Sequence, residues 1–314
     1  VWHLYMEYMS AIGKTRFGRT PAGAWGGKFL DSTSQGNRLM LWGNWMPENW
    51  GMLLFTQKIV EDDVMEMDAS DEDKDGYYVD VSYKADMGKT VAAIFAVRDA
   101  TNERVPYTTT NLWVHGKYAW DAIGLEYELN WGFGEKSSTV DQESIAFNAD
   151  LSYTSGDMKF GGLFIYASGD DDTTDTKSES ATSNSAGTGK DYNPYQIMMG
   201  DYMNLWNADK GSNSIHDSLK LGSENVGLMS FGLYGSYKVS PKMSINGEIG
   251  WFGALEEMQG WDDSLGVEFG VGMSYKLYDN LTYGAHFSYL ATGDFFKGDS
   301  SMNYSTEDVF LLAH

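Results

Sequence analysis

The chain has 314 residues, with 36 Gly, no Cys, 15% aromatic residues, a formal net charge of −23 and a mean hydropathy of −0.39. The missing Cys excludes a disulfide scaffold, a thiolate metal site and a thiol nucleophile, and the acidity excludes nucleic-acid binding through phosphate neutralisation. No run of about 18 apolar residues is present, so no transmembrane helix is predicted, but a membrane can also be crossed by alternating strands of about 9–11 residues.

Residues 1–10 run into a short turn at SAIGK (10–14), and GKTRFGRT (13–20) reads as a basic strand entering a long connection over 20–36. Alternation is poor at 14–19 and 51–60, but YYVDVSYKAD (77–86), TVAAIFAVRD (90–99) and NLWVHGKY (111–118) fit it with few exceptions. In IGLEYELNWGF (123–133), Ile123, Leu125, Tyr127, Leu129, Trp131 and Phe133 oppose Gly124, Glu126, Glu128, Asn130 and Gly132. SIAFNADLSY (144–153) and MSINGEIGW (243–251) repeat the pattern. The longest case begins at 264, where Leu265, Val267, Phe269, Val271, Met273, Tyr275 and Leu277 oppose Gly266, Glu268, Gly270, Gly272, Ser274 and Lys276. One face is oily and the other is small, polar or charged.

Short turns such as DMGK (86–89), AWDA (119–122), SPK (240–242) and YDN (278–280) take turns with long connections at 20–36, 61–75, 99–107, 134–142, 168–225, 253–261 and 293–306. This predicts an all-β antiparallel meander with every long loop at one end, the layout of an outer-membrane barrel. Aromatics near the short turns (Trp45, Trp50, Trp120, Tyr153, Tyr237, Tyr275) and near the loop ends (Phe133, Trp251, Trp261, Tyr289) predict two girdles around a lipid-facing band. The apolar face then needs no protein core, because lipid is its solvent. A lipid-exposed sheet must close. About fifteen strands are legible, and parity predicts a sixteen-stranded barrel over 1–314, with one upward strand before Val1.

With that strand counted, 61–75 is the third long loop. The layout, together with GKTRFGRT and the closing LATGDFF hairpin before EDVFLL, resembles the sixteen-stranded homotrimeric porins of Gram-negative outer membranes, nearest in flavour to those of sulfate-reducing bacteria. The resemblance implies a passive channel for small hydrophilic solutes, set in outer-membrane lipid and lipopolysaccharide, and no enzymatic activity. It implies a third loop folded into the pore, with Glu61, Asp62, Asp63, Glu66, Asp68, Asp71, Asp73 and Asp75 facing wall cations Arg16, Arg38, Lys58, Lys84, Arg98 and Lys117. A barrel sleeve holding a partner protein is the competing reading.

Further lumen acids are expected at Glu126, Glu128, Asp150, Glu248 and Glu268. Glu126 and Glu128 share a face, but nothing in the sequence buries them for catalysis. Asp71-x-Asp73-x-Asp75-Gly76 matches half of a calcium loop, with Ser82 where the bidentate Glu belongs. Gly169-Asp170-Asp171-Asp172 is a weaker cation candidate, no other cofactor is called for, and no two of the five His have metal-ligand spacing. Tyr195, Met198, Met199, Tyr202, Met203 and Trp206 follow a helical period after Pro194, which predicts a short helix over 195–206 inside the 168–225 loop.

Overall fold

The computed structural model of the protein describes residues 3–21, 26–27, 29, 35–61, 73–101, 106–172, 174–181, 194–200, 226–256, 261–298 and 307–313. They form one sixteen-stranded sheet. Its first half is β1 (Leu4–Ser10), β2 (Gly13–Pro21), β3 (Gln35–Gly43), β4 (Trp50–Val60), β5 (Lys74–Ala85), β6 (Gly88–Asp99), β7 (Tyr107–Trp120) and β8 (Ile123–Glu135). Its second half is β9 (Asp141–Ser155), β10 (Met158–Ala167), β11 (Lys177–Ser178), β12 (Leu228–Ser240), β13 (Met243–Gly253), β14 (Ser264–Tyr278), β15 (Leu281–Thr292) and β16 (Val309–Ala313). Consecutive strands pair antiparallel, except that β10 pairs directly with β12. The sixteenth strand of the sheet is β11, two residues laid parallel to β9, and not the long upstream strand that parity predicts, which lies outside the described residues.

Period-2 patterning explains both the strands and their faces. In β14, Phe269, Val271, Met273 and Tyr275 are exposed, while Glu268 and Gly272 on the alternate face are buried. The same apolar side is exposed at Phe231, Leu233, Ile249 and Phe287. β9 and β14 each have 15 residues, beyond the 9–11 or so needed to cross the hydrocarbon layer. Trp45, Trp50, Trp120, Tyr153, Tyr237 and Tyr275 stand exposed close to the short turns. Trp261 does not join the second girdle, because it packs edge-on against Phe295 at 5.0 Å.

Two features depart from simple alternation. Phe252 pairs with Gly266 and Gly253 with Ser264, so Leu265 is the extra residue of a β-bulge between β13 and β14. Gly266 takes φ 121°, a conformation that only glycine adopts without strain. The bulge turns Leu265 inward, where it is fully buried rather than lipid-facing.

Leu265 also belongs to the second departure, a hydrophobic cluster on the inner side of the barrel at its loop end. Wall residues Ile165, Leu228, Phe252 and Leu290 meet Phe29 from the β2–β3 connection and Ile197 and Met198 from the connection before β12. A 3-10 turn at Asp294–Lys297 adds Phe295. Lipid solvates the outer face, yet the loops still bury a core of their own.

A loop-filled lumen as the candidate functional site

Register puts Glu126, Glu128, Asp150, Glu248 and Glu268 on one face: Glu126 opposes Asp150, His115 opposes Glu128, Tyr234 opposes Glu248 and Gly250 opposes Glu268. This is the inner face, alternate to the exposed Trp131, Leu151, Ile249 and Phe269. Glu268 is fully buried. Its carboxylate accepts three consecutive backbone N–H groups, from Gln196 at 2.8 Å, Ile197 at 2.9 Å and Met198 at 2.8 Å. Successive amides aimed at one anion form a nest, and the charge strengthens each bond.

The wall makes room for this segment. Gly232 and Gly250 oppose each other on β12 and β13, and a β-carbon on either would overlap the ring of Tyr195. The ring lies edge-on to Phe252 at 4.7 Å, with its hydroxyl 3.4 Å from Ser230 Oγ. Residues 194–199 are a series of bends rather than the start of the expected helix, and 201–206 fall outside the described residues. Its described apolar residues, Tyr195, Ile197, Met198 and Met199, are buried in the cluster on the barrel's inner wall.

A second segment enters from the β2–β3 connection. The backbone N–H of Phe29 donates to Glu128 Oε1 at 3.1 Å, and Gly27 lies so close to Glu126 and Glu128 that a β-carbon there would overlap both carboxylates. Beside these segments is a lumen cavity of about 450 Å³, lined by Lys117, Glu126, Asp150, Lys159, Tyr195 and Glu248 among others. Within this lining, Lys117 Nζ is 2.7 Å from Glu126 Oε2, and the Tyr234 hydroxyl donates to Asp150 at 2.5 Å. Glu248 Oε1 is 2.8 Å from His286 Nε2.

The expected basic cluster divides between the two faces. Arg16 is inward, 2.8 Å from Glu7 and over the rings of Tyr5 and Trp42. Arg38 is nearly buried, donates to Gln57 at 2.7 Å and lies over Phe55. Lys84 shares the parity of inward Tyr78 and Asp80 and is exposed near a short turn. Lys58 and Arg98 do not face the lumen. Both share the parity of Asp75 and of the exposed Tyr77 and Val79. On that outer side Lys58 pairs with Asp73 and, at 3.0 Å, with Asp75, while Arg98 is 4.0 Å from Asp75.

The physical reason for the error is that β4 and β6 are apolar on both faces. Their inner face carries aromatics, with Phe55 stacked on Tyr78 at 4.4 Å and Phe95 on Trp113 at 5.8 Å. Glu61 is 3.9 Å from Lys58. Asp62, Asp63, Glu66, Asp68 and Asp71 lie outside the described residues, as does any inward course of that loop. The ammonium of Lys58 bridges Asp73 and Asp75, and Asp71, the first residue of the candidate calcium loop, lies outside the described residues. Sequence reasoning missed Gly27, Phe29 and 194–199 as wall contacts. The signal was present in the apolar run YQIMM, which required cover, and in the glycines at alternate inward positions.

A meander with an oily outer band, a charged lumen and its own loops seated inside at one end defines a β-barrel channel of the bacterial outer membrane. The family model described as a porin subfamily matches residues 60–311, and the chain belongs to that family. No curated protein sequence matches it. Among solved structures it is similar to Pseudomonas aeruginosa OccK5 (OpdH), with 11% identity, a TM-score of 0.48, and coverage of 92% of this chain and 75% of that one. It is similar to Pseudomonas aeruginosa OccK11 (OpdR) with 11% identity, a TM-score of 0.46 and coverage of 90% and 72%. For Acinetobacter baumannii OccAB4 the values are 10%, 0.44, 88% and 66%.

Proposed function

We propose that this porin is a passive diffusion channel for small hydrophilic solutes and ions, narrowed where Gly27, Phe29 and residues 194–199 lie against the acidic inner wall. The observation that carries this reading is the anchoring of 194–199 by the buried Glu268 carboxylate through three backbone N–H groups. A fixed constriction screens by size, and the acids beside it screen by charge. A lumen occupied by the chain's own loops favours this channel over a sleeve for a partner protein, and the porin fold points away from an enzyme. Among the described loop residues, Asp170, Asp171 and Glu179 add negative potential at the long-loop end.

We further propose a homotrimer in contact through the early strands, within lipid and lipopolysaccharide. The charges of Lys58, Asp75 and Arg98 on the outer face are costly against lipid, and a subunit contact would cover them. Single-channel recording in planar bilayers tests the channel: stable ohmic steps are expected, and purified folded protein that conducts nothing and passes no small sugar into liposomes would overturn it. Mass measurement in mild detergent tests the trimer.

A further inference from the structure

We propose that Asp170, Asp171 and Glu179 bind one calcium ion at the long-loop end of β9 and β10. Each places a carboxylate oxygen within 4.8 Å of the other two. One oxygen-ligated calcium spans such a spacing, because ligands about 2.3–2.6 Å from the ion lie at most about 5 Å apart.

Acidic clusters are common without a metal, and what sets this one apart is Asp170. It is only 7% exposed, and its Oδ1 is buried with no hydrogen-bond donor. Its other oxygen accepts a long bond, 3.4 Å, from the backbone of Glu179. A buried carboxylate oxygen with no partner is costly, and a cation is the partner that three converging carboxylates would select. Among the described residues no Lys or Arg forms an ion pair with Asp170, Asp171 or Glu179. The nearby Lys177 is 2.7 Å from Glu143.

A fourth acid, Glu256 from the β13–β14 connection, lines the same cleft with Asp171 and Glu179. Burial raises the carboxyl pKa of Glu179 and of Glu256, and the neighbouring aspartates add to the rise. The backbone around the site is held in place. Ser168 Oγ donates to the Glu179 carbonyl at 2.5 Å, Ala181 N–H donates to the Ser168 carbonyl at 2.9 Å, and β11 pairs with β9. Calcium suits an irregular carboxylate set open to water on one side, whereas magnesium demands near-octahedral geometry. The ion would tie the β10–β11 turn, the residues after β11 and the β13–β14 connection together.

The test uses the full chain, folded in detergent. Calcium alone is titrated calorimetrically, and terbium is followed by emission sensitised through Trp131, which lines the cleft. One ion per chain is expected, with calcium displacing terbium. Asp170→Asn with Asp171→Asn should weaken binding at least about tenfold, and Asp71→Asn with Asp73→Asn should leave it unchanged. If the first pair fails to fold, judged by heat-modifiable gel migration, Glu179→Gln is read in its place with the same expectation. The proposal is overturned by no calcium uptake up to about 10 mM, by unaltered affinity in the 170/171 or 179 variants, or by loss of binding in the 71/73 variant.

Discussion

Met198 and Glu268 are 70 residues apart in the chain, yet the amide of one donates to the carboxylate of the other at 2.8 Å inside the barrel. This bond and the two beside it, from Gln196 and Ile197, hold a loop segment against the wall of the channel. Replacing Glu268 by Ala strands three backbone donors, each costing about 1–3 kcal/mol when buried and unpaired. The wall strands keep their own ladders, so the segment is expected to leave the wall while the barrel stays folded. Single-channel recordings should then show a larger and noisier conductance. Unchanged conductance in a correctly folded E268A channel would remove 194–199 from the constriction.

Glycine at 250 is the counter-intuitive position. Adding bulk to a pore wall ordinarily narrows a pore. Here a β-carbon at Gly250 or Gly232 overlaps the Tyr195 ring, so Gly250→Val should displace Tyr195 and widen the passage. The checks are conductance and the largest sugar admitted in liposome swelling. A smaller exclusion limit in the variant would show that Tyr195 holds its place.

Ion selectivity should follow the lumen acids. Asp150 and Glu248 line the cavity beside the seated segments, whereas Asp73 and Asp75 are paired with Lys58 and Asp75 lies on the outer face. The unmodified channel is expected to prefer cations at low salt and to lose that preference as the Debye length falls from about 30 Å at 0.01 M to about 3 Å at 1 M. Asp150→Asn with Glu248→Gln should reduce the reversal potential under a low-salt gradient. Asp73→Asn with Asp75→Asn should change it far less, and the reverse ranking would return the selectivity filter to the β4–β5 loop.

Protons should compete with calcium at the Asp170 cluster. Burial, reinforced by the aspartates, raises the carboxyl groups of Glu179 and Glu256 above the ordinary glutamate value, which is about 4.3. A raised pKa in the folded state means that protonation favours the folded loops. Without calcium, that contribution is present at low pH and is lost as pH rises through the raised values. Calcium takes the protons' place, so its affinity should fall on acidification, beginning above the usual carboxylate range. Calorimetric titrations over a pH series measure this, and an affinity constant down to the ordinary glutamate pKa would contradict it.

The wall was legible because each residue's side of the sheet is set by lipid on one face and water on the other, and period 2 records that choice. It was legible for β8, β9, β13 and most of β14, where Glu126 and Tyr127, or Glu268 and Phe269, leave no doubt about which way the strand faces. It failed where both faces are apolar. Phe95 and Ile94 on β6 are equally oily, so Arg98 at the end of that strand carried no parity signal. It also failed at Leu265, because the bulge turns that one residue inward beside Gly266 while the alternation from Val267 onward is kept. The seating of Tyr195 on Gly232 and Gly250 joins distant parts of the chain, and no local pattern records such a contact. The run YQIMM announced only that it needed cover.

The place where Tyr195 rests also imposes an order of events. Its two glycines lie on β12 and β13, and the carboxylate that fixes its neighbours lies on β14. All three strands follow the segment in the chain, so it cannot settle until the barrel has been laid down as far as Glu268. Residues 27 and 29 rest instead on β8, which precedes that segment in the chain. The two seats are therefore built by separate stretches of the wall, and a chain lacking β14 would keep the first and lose the second.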